Sequence, residues 1–300
     1  MRSAPRGAAN EGSTCITGVS VFEARVDRAV AEVRRAAHAG LDGTEILQRT
    51  AAAIHEVAPI DAFCASTADP GSLLMTGGVA RGTDARVPDV GRVGRRFFER
   101  VYFEEQLDLV RLMLRRGEAV VTPAEALGLP ATETLRYREV LHPIGMAPEA
   151  VLIFTDDGFR GGMEVMRGTD APPFSARELD AMRRIAPEVG RGLRAAALRA
   201  QAVPAELAAE PGGDAPGVLV VDAGGDVVSA TPSAKALLAE LVRPLPGWPE
   251  HGSLPTPVMM ALGDLAQALR PGSARWAGAS PSSLRVMSRR GRWLTIHADL

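Results

Sequence analysis

Two cysteines, five histidines and a few adjacent charged pairs are what this 300-residue chain offers for chemistry. Cys64 lies in an apolar run, where a small buried thiol is an ordinary core residue. A redox sensor there would need a positive charge nearby to lower its pKa. His38, His55, His142, His251 and His297 share no metal-ligand spacing with one another or with Cys15 and Cys64, so the pattern predicts no metal site. Asp156-Asp157 precede Gly158, and neighbouring residues in a strand or turn point apart, so these carboxylates suit a turn better than acid and base catalysis. Gly161-Gly162 and Gly224-Gly225 lack both the following Lys-Ser/Thr pair and the strand-to-helix glycine fingerprint that cradle a phosphate. No Ser, Cys or His stands in a motif that implies a nucleophile with its base. The expectation is a chain without catalytic residues.

Charge excludes further classes. The formal net charge is −2, Lys235 is the sole lysine, and Arg95-Arg96, Arg115-Arg116, Arg183-Arg184 and Arg289-Arg290 are scattered pairs that fit solvated faces. Sequence-specific DNA binding by this chain alone is not expected. No run of about 18 apolar residues is present to span a bilayer, and Met1 to Thr14 lacks the apolar core of a secretory signal. With two cysteines and no disulfide framework, a reducing cytoplasm is the expected location.

The elements that must position any site follow from periodicity. An apolar fraction of 46% is enough for two cores. Residues 1–20 read as a disordered tail. Phe22, Val26, Val30 and Val33 recur at helical spacing, and Asp42 with Glu45 forms a capping-box pair ahead of a second helix ended by Pro59. Asp69-Pro70-Gly71 marks a hairpin turn within residues 60–79. Residues 97–116 return to a long, broken helical pattern, and 122–134 read as a loop or broken helix. Asp156-Asp157-Gly158 joins two apolar runs, 150–155 and 159–167, as a hairpin. Ser175 and Glu178 then cap a helix reaching about Ala202, kinked at Pro187. Prolines and glycines over 203–215 read as a linker. The remainder, 216–300, gives a strand, the turn Asp222 to Asp226, a second strand, a helix from Pro232 to Leu241, a helix from Val258 to Leu269, and a final hairpin over 284–298.

The stretch from Arg136 to Glu178 is the most specific. Arg138-Glu139-Val140-Leu141-His142-Pro143-Ile144-Gly145, Glu149, Asp157-Gly158, Met163 to Arg167 and Pro173-Phe174-Ser175 to Glu178 resemble the GAF-like sensory region of bacterial LuxR-type helix-turn-helix regulators. Where such regulators often carry an aromatic before the second-strand glycine, this chain has Arg160-Gly161-Gly162. Residues 217–241 look like the opening of a PAS domain. The resemblance implies an α+β fold: a GAF-like antiparallel sheet with flanking helices over 22–202, then a smaller, incomplete PAS-like domain over 216–300. It implies a non-catalytic, signal-sensing protein that binds a small molecule or a partner and dimerises through the helices at 22–39 and 175–202, with DNA reading left to a domain outside the chain. Candidate ligand-contacting residues are Cys64, His142, Arg160 and Trp293. His142 lies in the segment near the GAF pocket and leaves single-histidine haem ligation open; no cofactor is otherwise indicated. Two rival readings stay open, an enzyme doing redox or hydrolytic chemistry on this fold and a pure dimerisation module.

Overall fold

The computed structural model describes residues 20–82, 96–202, 215–222, 226–241, 254–270 and 282–300. The expected tail over 1–20 and linker over 203–215 therefore lie outside the described residues, except for Ser20 and Ala215.

Helix α1 (Val21–His38) starts where the Ser20 side chain accepts the Glu23 N–H, and α2 (Gly43–Val57) starts on the reciprocal capping box of Asp42 and Glu45. Strands β1 (Ala62–Ala68) and β2 (Met75–Gly82) form the hairpin expected around Asp69. The helical stretch that follows is split. Phe97–Gln106 is π-helical and α3 (Leu107–Arg116) is regular, ended by left-handed Gly117. The Leu107 N–H bonds to the Tyr102 carbonyl five residues back, the π-helical pattern, and Phe97, Phe98, Val101 and Tyr102 are buried.

Strand β3 (Val120–Val121), the short helix α4 (Pro123–Leu127) and a second π-helix (Tyr137–Leu141) precede the long hairpin β4 (Met146–Thr155) and β5 (Phe159–Gly168). Helix α5 (Ala176–Gln201) begins on the Ser175/Glu178 capping box and continues unbroken through Pro187. The five strands make one antiparallel sheet in the order β2-β1-β5-β4-β3. An antiparallel sheet flanked by helices is the α+β architecture the sequence implied.

Side chains alternate across this sheet. Phe63, Ala65, Leu152, Phe154, Met163 and Val165 face α1, α2 and α5 in a wholly apolar cluster. Gly161 is where the central strands meet most closely: a Cβ there would lie 2.1 Å from the Ser66 carbonyl oxygen.

The opposite face is covered differently. Val151 and Ile153 pack on Leu109 and Met113 of α3. Phe97, Val101 and Tyr102 share a cluster with residues of the C-terminal part of the chain, among them Val258, Met260 and Leu284. That part comprises the hairpin β6 (Leu219–Val221) and β7 (Val227–Ala230), helices α6 (Pro232–Glu240) and α7 (Thr256–Ala268), and the hairpin β8 (Ser282–Met287) and β9 (Trp293–Ala298). Among the described residues its strands form two separate two-stranded sheets. Helix α7 lies so close to the first π-helix that a Cβ on Gly263 would sit 2.3 Å from the Phe103 ring.

Candidate functional site

Within the second face of the sheet runs a polar strip. Cys64 on β1 and Glu164 on β5 are cross-strand partners, and Glu149 lies on the neighbouring β4 with its side chain on that same face. The helices above supply the rest. Glu105, in the first π-helix, accepts the backbone N–H groups of Leu135 at 2.7 Å and Arg136 at 3.2 Å, so its carboxylate closes the start of the second π-helical segment. That contact fixes Arg136, whose side chain is fully buried. Its Nη1 stands 2.6 Å from Glu164 Oε2 and 3.5 Å from Glu149 Oε2, and its Nε stands 3.9 Å from Glu105 Oε1.

One guanidinium thus meets three carboxyl groups in a place water does not reach, and its pairs are close without being well aligned. Arg136 Nε, Nη1 and Nη2, together with Glu149 Oε2 and Gln106 Oε1, complete no hydrogen bond. Burial opposes the Arg136 charge, but Glu164, Glu149 and Glu105 outweigh it and hold the group protonated. Burial pushes the Glu149 carboxyl up to about 8, against the pull of Arg136 and with the repulsion of Glu164 and Glu105. Glu164 is also raised by burial, with Arg136 opposing. A charge group so short of partners is costly to maintain and contributes little to stability by itself.

Beside Glu164 lies a cavity of 20 Å³, lined by Cys64, Ser66, Tyr102, Gln106 and Glu164 together with the rings of Phe97 and Phe159. It has room for about one water molecule. Cys64 is half-buried because it faces this cavity, and its depth together with the field of Glu164 pushes the thiol well above its ordinary range. A thiol held protonated is a poor nucleophile. The Tyr102 hydroxyl donates to the Leu73 carbonyl at 3.1 Å, anchoring the first π-helix to the β1–β2 loop. A larger, open hollow of 480 Å³ lies beside β3, but its Arg116 and Glu118 pair with each other at 3.8 Å.

Of the four residues put forward from sequence, only Cys64 reaches the cavity. His142 is exposed, its ring 5.6 Å from that of Tyr137. Arg160 turns back on the hairpin: Nε donates to the Asp156 carbonyl at 2.8 Å and Nη2 to the Asp157 carbonyl at 2.6 Å. Trp293 is 39% exposed at the start of β9, with the Arg285 guanidinium 4.9 Å from its ring centroid. Arg136, Glu149 and Glu164 fall in the stretch that carries the resemblance, but neither they nor Glu105 and Gln106 are among the candidate contacts. The cluster's one local signal is Glu164 inside Met163-Glu164-Val165-Met166, a charge within a strand whose length and neighbours require cover on both faces.

No family profile matches the chain, and no curated protein matches it in sequence. Among solved structures it is similar to the phycoerythrobilin-bound GAF domain from a cyanobacterial phytochrome, with 16% identity and a TM-score of 0.36 over 59% of this chain and 96% of that one. It is also similar to the VqsR LBD domain from Pseudomonas aeruginosa, with 12% identity and a TM-score of 0.33 over the same shares. These are loose likenesses of shape, and the fold described above rests on its own strand order and helix layers. Among the described residues no helix is long and apolar enough to cross a membrane.

Proposed function

We propose that this chain is the sensory part of a regulatory protein related to the LuxR-type helix-turn-helix regulators, binding a small molecule on the second face of its sheet and doing no chemistry on it. The observation that supports this reading is the buried polar group beneath the first π-helix: Gln106 Oε1, 7% exposed as a residue, lines a small cavity without a partner, beside a guanidinium whose three nitrogens also lack aligned acceptors. Natural interiors rarely leave such groups unmatched unless they serve a ligand or a moving element. A π-helical segment is a frequent companion of such sites. In this reading the protein is cytoplasmic and dimerises through α1 and α5. DNA contact then belongs to another domain.

The small cavity favours a second reading, a dimerisation module whose pocket stays filled by its own side chains. One experiment separates them. Purified protein is screened by thermal denaturation against a metabolite library, with native mass spectrometry to detect molecules carried through purification. Sensing predicts at least one compound that raises the midpoint in the wild type and not in Gln106→Leu. If no compound in the library does so and none co-purifies, the dimerisation module stands in its place.

A further inference from the structure

We infer that the cavity beneath the first π-helix takes the head of a small organic ammonium ion, ammonium itself or a primary amine; this rests on the sensory reading of that site. Four features of the lining select the class.

Its polar groups can all accept: the Glu164 carboxyl, the unpartnered carbonyl of Gln106 and the Ser66 hydroxyl, while the Tyr102 hydroxyl gives its proton to the Leu73 carbonyl. Among the described residues no basic side chain lines it. Behind the lining Arg136 is already committed, 2.6 Å from Glu164 and 3.9 Å from Glu105, so no positive charge is left free there even with the Glu149 carboxyl protonated. Asp264 and Arg111 act on Tyr102 from α7 and α3 with opposite signs. A cationic guest can donate to Glu164 and to the Gln106 carbonyl, whereas an anion would meet no free cation and leave the Gln106 carbonyl without a donor.

The third feature is aromatic: Phe97, Tyr102 and Phe159 all border the cavity, and ring faces attract ammonium groups in desolvated sites. Size is the fourth. The 20 Å³ now open matches one water-sized head group and excludes a tetraalkylated nitrogen. Arg136 could be taken as an anion-binding group instead, but it does not line the cavity and is already engaged with Glu164 and Glu105.

The test is the thermal midpoint of the whole chain at pH 7 and fixed ionic strength with ammonium, methylammonium, tetramethylammonium or sodium chloride. Circular dichroism checks that each variant is folded. Methylammonium at about 100 mM should raise the wild-type midpoint by about 3 °C over sodium. Tetramethylammonium should not. Gln106→Leu, which replaces the acceptor by an apolar side chain of similar size, should fold and lose the shift, and Gln106→Glu should keep or enlarge it. Equal effects of methylammonium and sodium, or an undiminished shift in Gln106→Leu, overturn the proposal. If a neutral or anionic metabolite stabilises through Gln106 and the amines do not, the sensory reading survives and the ammonium class falls. If nothing of any charge stabilises, both fall.

Discussion

Met163 and Glu164 are consecutive in β5, and the pleat sends them to opposite faces of the same sheet. Met163 enters an apolar layer built by α1, α2 and α5, whose buried charges, Arg167 and Glu188, are paired with Glu178 and Arg34. Glu164 enters a layer where a guanidinium, three carboxyl groups, an amide and a thiol lie among aromatic rings. The first face satisfies every requirement of a stable core. The second departs from those requirements in one spot while keeping them elsewhere, as Val151, Ile153 and Met166 show. One sheet therefore carries an apolar side and a side with a buried polar group, and adjacent residues report on each.

The largest expected effect comes from breaking the charged side. Arg136→Leu leaves three carboxyl groups without their cation and should lower stability by about 3–5 kcal/mol, measured by urea denaturation. Adding Glu164→Gln should recover a substantial part of that loss. If the double variant is no better than the single, Arg136 acts through packing and not through charge. On the structural side, Met163→Ala should cost about 2–3 kcal/mol through lost burial and a residual cavity. That loss should be the same at pH 5 and pH 8, since Glu178 and Glu188, the carboxyl groups paired on this side, are held below their ordinary values. A pH-dependent loss there would mean the two faces are coupled.

Much of the structural side could be read from the sequence. The capping pairs Asp42/Glu45 and Ser175/Glu178, the Asp156-Asp157-Gly158 turn and the helical repeat of α1 are local signals, each contained within a few residues. Strand β3 carries no such signal. Two valines paired to β4 are too short for alternation to show. The π-helix was hidden for a related reason, because Phe97, Tyr102 and Leu107 at five-residue spacing resemble a poor α-pattern. The charged site is non-local: Glu105 and Arg136 are brought together by backbone capping over 31 positions, and Glu149 and Glu164 by strand register. Taken one at a time, each looks like surface charge. His142 and Arg160 were attractive for the motif around them, yet of that motif it is Glu164 that lines the cavity and Glu149 that stands behind it.

A smaller effect follows from Glu149. Its carboxyl is pushed up to about 8 in the folded chain from an ordinary 4.5, so the folded state holds a proton that the unfolded state has released. Stability should then fall as pH rises from about 4.5 to about 8 and level off above that, because the unfolded chain binds fewer protons over this window. Relaxation of the interior should keep the change to about 1–2 kcal/mol between pH 5 and pH 8. Glu149→Gln should flatten this limb in a series of urea titrations. A wild-type curve that rises over the same range would show that Glu149 is ionised on folding and that Arg136 serves it as a full partner.

The smallest effect lies at the rim of the structural side, where charge is handled in the opposite way. Glu188 of α5 accepts from Arg34 Nη2 of α1 at 2.7 Å, and Arg191 stands at the same distance. The Glu188 side chain is 7% exposed but both guanidinium groups are more than half exposed, so water and salt screen the pairs. The hydrogen bond from Arg34, aided by Arg191, holds the Glu188 carboxyl below its ordinary value against a modest burial cost. Its contribution is therefore present above pH 4.5 and lost as pH falls through the folded-state value, the reverse of Glu149. Glu188→Gln should cost about 0.5 kcal/mol at pH 7 and low salt and nothing measurable in about 1 M sodium chloride. It should also weaken the acid limb of the stability curve while leaving the limb above pH 5 as it was. A loss that survives high salt would mean that α1 and α5 hold this carboxylate as an interior group, and the contrast between the two faces would narrow to the cavity alone.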